Sequence, residues 1–493
     1  MNPYFDRMNA GSPGSFAGAA PDNADAAGAS GVRSRDDGYH GIRITIWLYF
    51  WLLIFEGALR KWVFPGSSNT LLLVRDPVVA ICYFLAIRNN KFPTGPFVLV
   101  ALFLGILSFM ASLVVSPVSD VRKLLLITGF GFHANFLHLP MIFLIRDAFD
   151  WERIRAIGKW TLLLAPLTAV LVFLQYRSPS DAWVNHGAGK DSAQIAAGVH
   201  GSEKIRPAGL FSYNTGNSSY LAWVAAFLLN GLLIKKGITR GMVIVAAMSL
   251  VTAGSLSVSR TCILSIALVV AGGALCSVLA PKLATRSILV VFLIGCLYFG
   301  IAQFSVLGEG VAILQARVEE SGGINEGGIM RIFAAFVEPF LVLDQAGILG
   351  TGLGMGTNVA GSLMTGERTF LLTENEWSRH ILESGVILGF AFILWRLTLL
   401  VHLLRVSLKA LKALNPLPML IFSSCFVLVL NAPMGIPMTL GFVVMGAGMT
   451  LAAAKETTAE EPGEKMLLMG AQATGLARGR SAYAERLHSG QRM

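Results

Sequence analysis

The residues that suggest chemistry gather in TENEWSRHILESGVILG, Thr373 to Gly389. Glu374, Glu376, Arg379 and His380 fall within eight residues, and an apolar run, apart from Arg396, then continues to about Leu404. A carboxylate or imidazole held at a loop-helix junction can take a proton from a hydroxyl group. Helical spacing puts Glu376, His380 and Glu383 on one face, at i, i+4 and i+7. Glu383 falls about two turns into the apolar run, where a carboxylate is costly and faces a cavity or a partner. A structural account competes for the same residues. Thr373 and Glu376 have capping-box spacing, Glu374 and Glu376 suit a helix dipole, and Trp377 suits an interfacial aromatic belt.

Two further groups carry cations. KIRPAGLFSYNTGNSSYLA, Lys204 to Ala222, places Arg206, Asn214 and Asn217 just before an apolar segment. GSLSVSRTCIL, Gly254 to Leu264, places Arg260 in a short turn among Ser255, Ser257, Ser259 and Thr261. Arginine with hydroxyls and free amides at a helix start is suitable chemistry for a phosphate. The plainer account of Arg206 and Arg260 is that each anchors a helix end by snorkelling. The Gly-rich GILGTGLGMGTN, Gly347 to Asn358, lacks the strand-turn-helix setting of a nucleotide fingerprint and is expected to be a flexible turn beside a site.

The elements that must position these groups are apolar helices. The 493 residues are 54% hydrophobic and only 14% charged, against about a quarter charged in soluble domains. Apolar stretches long enough to cross a bilayer recur, among them Val98–Val115, Leu124–Ile145, Ile263–Leu279 and Ile288–Phe304. The five cysteines, Cys82, Cys262, Cys276, Cys296 and Cys425, lie in or beside apolar segments without paired spacing. They read as small core residues, with neither a disulfide framework nor a zinc site expected of them. The formal charge of +10 fits an excess of inner-face Lys and Arg, and no nucleic-acid partner is expected.

An all-α, polytopic membrane protein follows, with about 12 transmembrane helices. Residues 1–42 are expected to be a disordered cytoplasmic segment, 43–454 the membrane domain and 455–493 a disordered cytoplasmic tail. No apolar signal-peptide core is visible near the start. The expected spans are 44–59, 70–87, 97–115, 124–145, 160–176, 212–234, 241–257, 261–280, 287–305, 381–404, 417–431 and 436–454. With both termini inside, about 24 of the 39 Lys and Arg fall on the inner side. Two segments then face outward: 177–206, and a long loop, 306–379, between spans 9 and 10. Within that loop Ile329–Leu343 is apolar but short, suited to a helix lying at the outer interface.

Taken in order, these segments resemble the O-antigen ligase and O-antigen polymerase superfamily of bacterial inner-membrane proteins. Arg206, Gly209, Phe211 and Asn214 approximate its first motif, with one extra residue before the Asn. Ser257, Ser259, Arg260 and Thr261 match its Ser-x-Ser-Arg-Thr turn, and Arg331 with Gly350–Gly356 matches its long outer loop. Glu374, Asn375 and Trp377, then Glu383, Gly385 and Gly389, stand where the family has His-Asn-x-Tyr followed by Glu-x-Gly-x-x-x-Gly. The resemblance covers roughly residues 200–450.

The resemblance implies a glycosyltransferase that needs neither metal nor cofactor. It would polymerise or ligate glycan units delivered on undecaprenyl pyrophosphate at the periplasmic face of the inner membrane, in surface-polysaccharide biosynthesis. Arg206, Arg260 and Arg331 would bind the pyrophosphate, with Asn214, Ser259, Asn375 and Glu383 in support. The implied partners are the lipid-linked oligosaccharide, a glycan or lipid acceptor, and a chain-length regulator or other polysaccharide-assembly proteins. The chain departs from the family at Glu374, where the family carries the His favoured as general base; either Glu374 or His380 could serve instead. A transporter or flippase of the same lipid-linked glycan is the alternative from another class.

Overall fold

The computed structural model describes residues 38–188, 204–234, 239–280, 305–320, 330–366 and 369–455. Most of the expected tails at 1–42 and 455–493 and nearly all of the ninth expected span, 287–305, lie outside these residues. The described chain is helical, and nine of its helices are long and apolar enough to cross a membrane.

In chain order the helices are α1 (His40–Ala58), α2 (Asp76–Arg88), α3 (Pro96–Val115), α4 (Val121–Phe132), α5 (Leu139–Ala148), α6 (Trp151–Arg177), α7 (Asn214–Ile234), α8 (Arg240–Leu256) and α9 (Arg260–Leu279). After them come α10 (Ser305–Glu320), α11 (Met330–Leu341), α12 (Leu343–Ala346), α13 (Asn358–Thr365), α14 (Glu376–Lys412), α15 (Leu417–Asn431) and α16 (Pro437–Lys455). A π-helical turn, His133–Leu137, joins α4 to α5 in one continuous span. Helices α8 and α15 are apolar but shorter than the nine.

The most apolar stretch of α16 is wholly buried, so this helix forms the centre of the bundle. Small residues let its neighbours come close: Gly446 lies against Cys425 of α15, Gly448 against Ile145 of α5, and Gly441 against Leu53 of α1 and Arg75. Close approach at small residues drives helix association where apolar burial gains nothing over lipid. Around this centre α7 packs on α9 and α15, α6 on α8, and α14 on α15 and α3. The outer faces carry exposed apolar rows, such as Leu99, Phe103, Ile106 and Met110 on α3. At that helical spacing they form one stripe suited to lipid.

Helix α11 and its neighbours cover one end of α14. Phe336 packs edge-on against Trp377, with ring centroids 5.0 Å apart. Phe333, Val337, Phe340 and Leu341 are exposed along the other face of α11.

Candidate functional site

Helix α14 begins at Glu376, and its cap differs from the expected capping box. Asn375 is the N-cap, its Oδ1 accepting from the amides of Trp377 and Ser378. Thr373 instead donates from Oγ1 to Glu338 of α11 at 2.8 Å. Asn375 Nδ2 reaches the same carboxylate at 3.0 Å and the Ala335 carbonyl at 2.9 Å. The Thr373 hydroxyl accepts from the Asn375 amide at 3.2 Å, one residue before the helix starts, so the first helical amides are left to Asn375.

The expected face of Glu376, His380 and Glu383 is present, and Arg379 binds it together. Arg379 donates to Glu376 Oε2 through Nε at 3.0 Å, to Glu383 Oε2 through Nη1 at 2.9 Å and to Asn135 Oδ1 through Nη2 at 2.9 Å. Glu376 Oε1 receives His380 Nε2, Arg396 Nη1 and the Met434 amide at 3.0–3.1 Å. Glu383 Oε1 accepts from the Gly356 amide at 2.8 Å. Glu376, Arg379, His380, Glu383 and Arg396 are all buried. Buried charges persist only when paired and hydrogen-bonded, and here each carboxylate has several donors. Glu374 is different: it is exposed, at the rim of this cluster.

The Gly-rich segment is a close-fitting cradle, whereas a flexible turn was expected. Gly350 and Gly354 hold positive φ, and a side chain at Gly350 would strike the Glu383 carbonyl. Gly385 breaks helical geometry inside α14 with φ 79° and ψ 173°, close to the backbone of Ile348. Backbone-to-backbone packing of this kind admits only glycine.

The cationic groups converge elsewhere. Arg206 precedes the 207–213 turn, and Arg260 opens α9 behind its N-cap Ser259, whose hydroxyl accepts from the Cys262 amide at 3.3 Å. Asn214 spans the two segments, donating to Pro207 O at 3.3 Å and Ser257 O at 3.2 Å. Arg317, a residue that no sequence motif marked, arrives from α10 and donates to Val258 O at 2.6 Å. Its only sequence signal was position: an arginine in a segment expected to lie outside, against the inner-face bias.

These three guanidinium groups repel one another. Burial first, and then the charge of Arg260, hold Arg206 below the ordinary arginine range. Arg317 is lowered by burial, then by Arg206 and Arg260, with Glu320 offsetting part of the effect. Arginine does not lose its proton in proteins, so an anion is the available relief. Arg206 Nε is buried without a hydrogen-bond partner among the described residues.

The turn carrying Arg206 is held from the π turn Leu59–Val63 that follows α1 and from α6. Lys61 donates to Gly209 O at 2.6 Å, Arg60 to Ser212 Oγ at 3.0 Å, and Gln175 accepts from the Gly209 amide at 2.8 Å. Gly209 itself has φ 59°. Around the start of α16, the Met434 amide donates to Glu376, Met438 packs at Gly216 of α7, and Arg75 donates to Pro437 O. Of the expected site residues, Arg206 and Arg260 therefore meet, with Asn214 and Ser259 beside them. His380, Asn375 and Glu383 share the start of α14 with Glu374. Arg331 lies on α11, and its side chain is outside the described residues.

Neither a comparison with protein-family models nor one with curated proteins finds a match for this chain.

Proposed function

We propose that the chain is a membrane-embedded glycosyltransferase of the bacterial inner membrane. It would polymerise or ligate glycan units carried on undecaprenyl pyrophosphate, working at the periplasmic face with both termini in the cytoplasm. The observation that carries this proposal is the mutual repulsion of Arg206, Arg260 and Arg317, with the buried Arg206 Nε lacking a partner among the described residues. Fixed cations brought together in a partly desolvated site favour an anionic group that gains charge during reaction.

In the proposed step, the acceptor hydroxyl oxygen forms a bond to the anomeric carbon of the donor sugar. The bond from that carbon to the pyrophosphate oxygen breaks, and the electron pair leaves with the pyrophosphate. Arg206, Arg260 and Arg317 stabilise that developing charge. Glu374 takes the hydroxyl proton, because it is the exposed carboxylate at the rim. His380 is enclosed, bound to Glu376 and packed on Phe392 at 4.5 Å between ring centroids, which suits support better than proton exchange with a substrate.

The test is incubation of the purified protein with a lipid-linked oligosaccharide. A product ladder or a transferred glycan, lost in Arg206→Ala, is expected. Movement of intact donor across proteoliposomes without any new glycosidic bond would instead establish the flippase alternative.

A further inference from the structure

A second polar cluster lies between α2 and the α4–α5 span, whose π turn also carries Asn135, the acceptor of Arg379. Asp76 Oδ2 is 2.8 Å from His133 Nδ1, and Asp76 Oδ1 is 3.1 Å from His138 Nε2. The three candidate ligand atoms lie within 4.8 Å of one another. His133 and His138 are buried, whereas Asp76 keeps 22% of its side-chain surface exposed and so leaves a way in.

The backbone is shaped to present this set. Residues five apart on a regular α-helix point about 140° away from each other, so His133 and His138 would not share one carboxylate. The π turn at His133–Leu137 adds the residue that brings both rings round to Asp76. Such bulges are rare and recur at functional sites. Pro140 cannot donate to the preceding turn and accounts for a break in the ladder here. It does not account for two imidazoles converging on one acid. The Leu137 carbonyl is taken by Tyr83 Oη at 2.6 Å, which holds the bulge in place.

Two details of bonding point to a ligand. His133 Nδ1 meets Asp76 Oδ2 as a close ion-pair contact, and among the described residues neither ring nitrogen of this buried histidine has an aligned hydrogen-bond partner. His138 meanwhile has its other nitrogen, Nδ1, fixed by Tyr49 Oη at 2.9 Å. An outer partner on the far nitrogen is what orients a metal-bound imidazole.

We propose that Asp76, His133 and His138 bind a divalent transition-metal ion of the zinc class, tying α2 to the π turn of the α4–α5 span. Two imidazoles and one carboxylate suit zinc, cobalt or nickel, and disfavour calcium or magnesium, which prefer oxygen ligands.

The probe is Co²⁺ added to chelator-treated, detergent-purified full-length chain, read by visible absorption. Saturation at about one ion per chain with a ligand-field spectrum is expected, and Zn²⁺ should displace it. Tyr49→Phe keeps the ring and should weaken binding by about 10- to 100-fold. His133→Ala should abolish the spectrum, while His402→Ala, outside the cluster, should preserve it. The wild-type titration decides the matter even if a variant fails to fold. No spectrum, or an unchanged spectrum in a folded His133→Ala, overturns the site and leaves a hydrogen-bonded network. Neither result bears on glycan transfer, which is assayed separately.

Discussion

Arg317 on α10 donates from Nη1 to the carbonyl of Val258, 2.6 Å away, and Val258 holds φ 46° while fully buried. A β-branched residue in the left-handed region is strained and is found where the surroundings impose it. Here the strained turn delivers Ser259 to its capping position and sets Arg260 beside Arg206 and Arg317. The backbone distortion and the cation cluster are one feature.

The strain at Val258 inverts a familiar order of substitutions. Val258→Ala keeps the positive φ and loses about two buried methyl groups, costing roughly 1.5 kcal/mol. Val258→Gly loses a little more burial but relieves about 1–2 kcal/mol of strain. The glycine variant should therefore melt at or above the alanine variant. A glycine variant clearly less stable than the alanine variant would show that Val258 is unstrained.

Pyrophosphate should stabilise the wild-type protein. An anion binding only the folded state at 100 times its Kd contributes about 2.7 kcal/mol, visible as a rise in thermal midpoint that shrinks with added salt. Arg206→Ala should lose most of that rise without lowering the midpoint of the free protein, because it removes a repelling charge. A variant that melts early yet still responds fully to pyrophosphate would mark Arg206 as an anchor.

Glu374 and Glu376 are predicted to separate chemistry from structure. Glu374→Gln should reduce glycan transfer by about two to four orders of magnitude, with stability changed by less than about 0.5 kcal/mol. Glu376→Gln should cost about 3–5 kcal/mol, since it leaves Arg379 and Arg396 undercompensated in a buried site. Transfer assays and thermal melts on both variants check this. If His380→Asn is folded and inactive while Glu374→Gln turns over normally, the base is His380.

Capping gives a smaller, independent check. Asn375→Ala removes the acceptor for two amides and should cost about 1 kcal/mol. Thr373→Ala should cost a similar amount, shared between its bond to Glu338 and the Asn375 amide that it accepts, so the effect should shrink in a Glu338→Ala background. Additive losses in the double variant would contradict that partnership.

Gly385→Ala should be among the most damaging single-methyl changes in the chain. Its φ and ψ belong to a region open only to glycine, and the added carbon would collide with the Ile348 carbonyl. A loss of at least about 3 kcal/mol is expected, measured by thermal or denaturant unfolding. Tolerance would mean that the cradle against α14 can move aside.

The sequence by itself determined the helical, membrane-embedded class, because apolar run length and composition report directly on whether a segment can leave water. Helix α3, for example, coincides almost residue for residue with its apolar run. It also placed Glu376, His380 and Glu383 on one face, since 3.6-residue periodicity is local. Tertiary structure alone decided which polar groups meet. Nothing in the spacing of Arg206, Arg260 and Arg317 brings them together; α10 docking on the turn before α9 does. Asn375, not Thr373, caps α14, and Glu338 of the remote α11 holds both side chains. Asp76 met two histidines only because one extra residue in a π turn rotated them into register. Local patterns set where each helix lies, whereas buried polar groups take partners from whichever helices packing brings near, and those partners are remote in sequence.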